Sequence, residues 1–164
     1  AAISYGYAVT TYVGQNYGAN KLDRIKKGVR SASFLAVGTS LVIAILMFLF
    51  GRNITMLFIS ADSAELVAAA GNTAYLYLCV MSSFLPILYL LYVFLSAIQG
   101  MGNTVVPMIS GIVEFIMRVG ISFVIGYTGY ANGIFGAEVM AWIGATIYLY
   151  INYRRIMGKR ESLS

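Results

Sequence analysis

The sequence predicts an all-α membrane protein, a bundle of four transmembrane helices plus the end of a fifth. Three observations carry this. Of 164 residues, 60% are hydrophobic and only 10% are charged, whereas a soluble domain carries roughly a quarter charged residues. Mean hydropathy is +0.81, and several uncharged stretches reach the about 20 residues needed to cross ~30 Å of hydrocarbon. The 11 Lys and Arg gather mostly before the first long stretch and after the last, which is how membrane proteins sort charge by side.

Composition also removes function classes. Histidine is absent and Cys79 is the lone cysteine, so zinc sites, haem ligation by His, iron–sulfur clusters, Ser-His-Asp triads and internal disulfides lack their residues. No metal or organic cofactor is expected, and the chain does not read as an enzyme. The net charge of +5 reads as topology, so the expected surroundings are a lipid bilayer and no nucleic acid.

Each element follows from charge and turn residues. Residues 1–13 are uncharged and too short to span, and they lack the basic start of a signal peptide. They read as the end of a truncated span, in a C-terminal piece of a larger protein. Residues 14–30 form a basic cytoplasmic loop. Within it Gly14-Gln15-Asn16-Tyr17-Gly18-Ala19 suits a helix C-terminus and tight turn, and Leu22, Ile25 and Val29 share an apolar side away from the cations. The first span, 31–50, ends at Gly51-Arg52-Asn53, a helix breaker and an interfacial cation. Residues 53–65 are too short to cross and are expected at the interface. The uncharged run that follows is divided by the turn residues Gln99-Gly100-Met101-Gly102-Asn103 into spans 70–98 and 105–125. A short turn at 127–132 leads into the fourth span, 133–153, and a cytoplasmic tail, 154–164. Four crossings return both basic clusters to one side, which the positive-inside rule makes cytoplasmic.

Charges in a span cost several kcal/mol unless paired or wetted, so Glu114 and Arg118 stand out in the third span. Their i, i+4 order, acid first, favours a pair. Ser110, Gly111 and Ser122 share their stripe, and Glu114 lies roughly 14 Å past Val105, near the midplane. Two readings stay open: a structural pair, or a cavity carboxylate whose protonation or cation binding is coupled to transport. In the second span, 100° steps group Ser82, Pro86, Tyr89, Tyr92, Val93, Ser96, Gln99 and Gly100 within about 140°. That stripe is either a packing face or an aromatic cavity wall suited to lipophilic cations. Pro86 is expected to bend the helix. Glu138 reads as a solvated acid near the outer interface, and Ala137, Ala141 and Ala145 as a packing face.

Taken in order, several segments resemble the multidrug and toxic compound extrusion (MATE) family. They are Gly14-Gln15-Asn16-Tyr17-Gly18-Ala19 with Asp23-Arg24-Ile25 and Gly28, Leu57-Phe58-Ile59, Ser96 through Gln99-Gly100-Met101-Gly102-Asn103-Thr104 with Pro107, and Gly111-Ile112-Val113-Glu114 with Arg118. Ala141-Trp142 also fits. The resemblance implies the tail of the second lobe of a twelve-helix, two-lobe transporter in the plasma (inner) membrane, with a cytoplasmic C-terminus. Such proteins export cationic amphipathic drugs in exchange for Na⁺ or H⁺ by alternating access, and the missing N-terminal lobe becomes an expected partner. An acid that some members carry just after the proline of the second span is replaced here by Ile87 and Leu88. Coupling then falls to Glu114 or to an acid in the other lobe. The alternatives are a lipid-linked oligosaccharide flippase of the related superfamily, or a scaffold subunit that transports nothing.

Overall fold

The computed structural model describes residues 1–58, 64–129 and 133–162. Six helices follow one another among them: α1 (Ala2–Gly18), α2 (Leu22–Phe58), α3 (Ala64–Ser83), α4 (Leu85–Gly100), α5 (Val105–Thr128) and α6 (Ile134–Glu161).

Helix closures differ from those that the turn residues suggest. The Gly14 to Ala19 segment is the last turn of α1, with Ala19 as its C-cap, so the helix ends where expected, but no glycine closes it. The helix is closed one step later by Asn20, at φ 54°. There Lys21 N–H donates to Asn16 C=O at 2.9 Å and Asn20 N–H to Tyr17 C=O at 3.0 Å, a Schellman closure with Asn in the left-handed position. α4 closes the same way at Gly102, φ 78°, with Asn103 N–H reaching Ile98 C=O at 3.3 Å. Asn103 Oδ1 then accepts from Val106 N–H at 3.1 Å, capping the start of α5.

The basic segment 14–30 is therefore mostly helix, not loop. α2 runs 37 residues, about 55 Å at 1.5 Å per residue, and so exceeds the ~30 Å hydrocarbon core. Its first turns bury Ile25 and Val29 and expose Arg24, Lys26, Lys27 and Arg30. Gly51 does not end it. A Cβ there would stand 2.8 Å from Leu78 Cδ2, so this glycine admits α3 rather than breaking α2. The expected interfacial segment continues α2 as far as Phe58, and residues 59–63 lie outside the described residues. The 127–132 turn is described only to Gly129, which caps α5 at φ 69°.

The second span is two helices. α3 and α4 meet at Phe84 with a bend of 48°, and Pro86 occupies the second position of α4. Pro is tolerated there because no intrahelical partner awaits its nitrogen. α6 continues through the expected tail to Glu161, since Arg154, Arg155 and Lys159 are good helix formers and nothing in the segment stops it.

α4 is the central helix, packed against α1, α2 and α6. Its sides are buried at Tyr89, Leu91, Val93, Ser96, Ala97 and Ile98, against Val13, Ile25, Leu149 and Met157 from its neighbours. Small residues let the helices approach. On α2 these are Ala36, Ser40 and Ala44, and on α6 Ala137, Ala141 and Ala145, all buried. α2 and α5 are each long and apolar enough to cross a membrane, and the bent α3–α4 pair makes a third crossing when taken as one. α6 has the length, 28 residues, but Glu138, Asn152, Arg154 and several glycines lower its apolarity below that of the others.

Candidate functional site

Arg118 is the hub of an ion triad. Its Nη2 donates to Glu114 Oε1 at 2.9 Å and to Glu138 Oε1 at 2.7 Å. The first bond spans one turn of α5, as the i, i+4 spacing allows. The second crosses to α6, so Glu138 is no freely solvated acid. Side-chain exposure is 40% for Arg118, 26% for Glu114 and 33% for Glu138, and Arg118 Nε is buried with no partner. With both acids ionised, two carboxylates share one guanidinium and the triad carries a formal charge of −1. In a low-dielectric layer such an excess calls for a proton or a cation.

The α5–α6 register explains how the triad forms. Met117 packs on Gly144, where a Cβ would lie 3.2 Å from Met117 Cε. Arg118 thus sits level with the middle of α6 and reaches toward its start, where Glu138 lies about 6 Å past Ile134. Arg118 and Ser122 also line an open groove of about 540 Å³ with Val119, Phe123, Gly126 and Tyr127. Ser110, on the expected stripe, is instead buried and donates to Pro107 C=O at 2.7 Å.

The stripe on α4 has a different environment. The Tyr89 ring stands 6.0 Å from Tyr5 of α1, and Tyr89 and Ser96 are each 4% exposed. Thr10 Oγ1 donates to Ser96 C=O at 3.3 Å, and a Cβ on Gly6 would come within 2.7 Å of Ser96 Oγ. These two residues therefore pack α4 on α1. Tyr92 is half-buried and Gln99 exposed. Among the described residues no hydrogen bond joins this stripe to the triad.

The motif glycines also serve this contact. Gly14 faces Gly100 C=O, and a Cβ on Gly100 would lie 2.8 Å from Thr10 C=O. Gln15 is exposed, whereas Asn16 is 8% exposed and its Nδ2 donates to Tyr12 C=O at 2.8 Å. Gly18 and Ala19 are exposed at the turn. The turns after α1 and α4 thus lie at one end of the bundle, and Arg160 stacks 4.9 Å over the Tyr17 ring there, bringing the C-terminal cations to the same end.

Residues 1–124 match the family model MatE. The chain belongs to the MatE family. Its members are multi-pass membrane transporters rather than enzymes. The fold agrees: 97% of the chain superposes on an inward-facing multidrug resistance MATE family transporter of the MOP superfamily, with a TM-score of 0.87 at 20% identity. The MatE chain described here spans 36% of that neighbour's length. Comparison with curated proteins finds no match.

Proposed function

We propose that this MatE chain forms part of a cation-coupled antiporter that exports cationic amphipathic drugs by alternating access, with Na⁺ or H⁺ as the coupling ion. Its helices would be the four last spans of a twelve-helix, two-lobe protein in the plasma membrane, with both basic ends cytoplasmic and an N-terminal lobe completing the cavity. The observation that carries the reading is the triad. Glu114 and Glu138 share Arg118 Nη2, so a proton or Na⁺ at either acid neutralises the excess charge and frees the guanidinium to re-pair. A two-state element needs such a change in pairing, because an ion shifts an equilibrium only by its differential affinity for the two states. The structural neighbour is itself a multidrug resistance transporter, which supports the drug class.

The experiment is ethidium accumulation in cells expressing the complete parent protein, wild type against Glu114→Gln at matched expression, with an ionophore control. Wild type should lower accumulation. Glu114→Gln should cut ion-driven efflux at least about tenfold, within the ~1–3 kcal/mol typical of coupled sites, and Glu138→Gln should act in the same direction. Unchanged efflux in Glu114→Gln would assign the triad to structure. Equal accumulation in wild type and vector would favour the flippase or scaffold reading.

A further inference from the structure

The two basic clusters meet in a crevice between α2 and α6. It measures about 640 Å³, inside the about 300–1,000 Å³ span of ligand sites. Lys26 and Arg30 of α2 and Arg154 of α6 line it, with Phe94 of α4, Tyr150 and Met157. Among the described lining residues none is acidic. Arg154 is held over this space, its Nη1 donating to Tyr150 Oη at 3.2 Å and its guanidinium lying 6.0 Å from the ring centroid. The Phe94 ring packs edge-on to Tyr150 at 5.3 Å and lies 5.7 Å from Tyr153.

Polarity is graded along the crevice. On α2, Lys26 is one turn outward of Arg30. On α6, Tyr150 is one turn inward of Arg154. Cations thus occupy the end near the basic turns, and aromatic side chains the end toward the apolar stretch. Further inward both helices leave large apolar side chains uncovered, Phe34 at 82% and Ile147 at 54% exposure.

We infer that this crevice binds an anionic phospholipid, its phosphate between Arg30 and Arg154 and the start of an acyl chain against Phe94 and Tyr150. A basic pocket between spans on the positively charged side matches a headgroup in charge. The aromatic floor favours a lipid over a free phosphate, which needs polar groups all round. The site stands on this crevice alone and is independent of the drug and the coupling ion.

The test uses native mass spectrometry of the parent protein in mild detergent, with phosphatidylglycerol or phosphatidylcholine added. Wild type should retain phosphatidylglycerol and not phosphatidylcholine. Arg30→Gln with Arg154→Gln should weaken retention about 30-fold, while Lys21→Gln with Arg155→Gln, an equal charge change outside the crevice, should stay close to wild type. Equal retention in both pairs, equal loss in both, or retention of phosphatidylcholine would overturn the inference. So would displacement of the lipid by excess inorganic phosphate, which would assign the site to a free anion. Should the crevice variant fail to fold, photo-crosslinking of wild type with an acyl-labelled phosphatidylglycerol decides. Adducts on the peptides containing Phe94 or Tyr150 support the site, and adducts elsewhere alone refute it.

Discussion

Glycines at similar spacings have opposite roles in this chain, and only three-dimensional contact separates them. A Cβ on Gly100 would press on Thr10 C=O at 2.8 Å and on Val13 Cβ at 2.9 Å, whereas one on Gly111 meets nothing within 4 Å. Backbone cannot swing aside as a side-chain tip can, so Gly100→Ala must part α1 from α4 and should cost about 1–3 kcal/mol. Gly111→Ala should gain up to about 1 kcal/mol from helix propensity instead. Thermal unfolding of the parent protein in detergent measures both, and a Gly100→Ala midpoint at or above wild type would refute the close crossing. The triad divides in the same way. The Glu114–Arg118 half is legible in the sequence as an i, i+4 pair. Glu138 is not, because the packing of Met117 on Gly144 sets Arg118 level with residue 144 rather than 138. About 9 Å of helix separates those positions, and only the reach of the long arginine stem brings Glu138 in.

At the level of elements, uncharged length finds the helices and misjudges their ends. Hydropathy stops the first span at Phe50 and the last at Tyr153, although amphipathic and basic turns extend α2 back to Leu22 and α6 on to Glu161. Helical hydrogen bonds do not end where the lipid does, so composition marks the membrane and turn geometry marks the helix. Glycine misleads for a related reason: Gly51 and Gly14 answer to neighbouring helices, and Asn20 closes α1. Pro86 is legible because it changes the backbone itself. α3 and α4 meet at 48°, and the proline, with no N–H to bridge the break at Phe84, is expected to hold that angle. Pro86→Ala returns a donor for Ser82 C=O and lets one helix run through. Spin labels at the exposed Thr73 and Gln99 should then move apart by about 3 Å, as straightening a 48° bend over these lengths requires at 1.5 Å per residue. An unchanged distance distribution in double electron–electron resonance would mean that packing of α4 on α1, α2 and α6, not the proline, sets the bend.

For the whole molecule, the deciding quantity is the number of crossings, which charge sorting and packing approach by different routes. Charge sorting predicts an even number, which would put both basic clusters on one side. Packing brings the same clusters together: Arg30 and Arg154 line one crevice, and Arg160 stacks on Tyr17 beside the α1–α2 turn. Apolarity alone gives α2, α5 and the bent α3–α4 pair, so a fourth crossing would need α6 to be carried across by the bundle. Its buried Ala137, Ala141, Ala145 and Leu149 fit that role, since a helix packed on protein needs less apolar surface than one bathed in lipid. Substituted-cysteine labelling tests this in the parent protein with Cys79→Ser as background. In intact cells a membrane-impermeant maleimide should label Arg52→Cys and leave Lys27→Cys, Gly102→Cys and Lys159→Cys unmodified until the membrane is permeabilised. Labelling of Lys159→Cys from outside, with Lys27→Cys still protected, would make the number of crossings odd and lift α6 out of the bilayer. It would also set Arg154 apart from Arg30 across the membrane and so refute the crevice that they share.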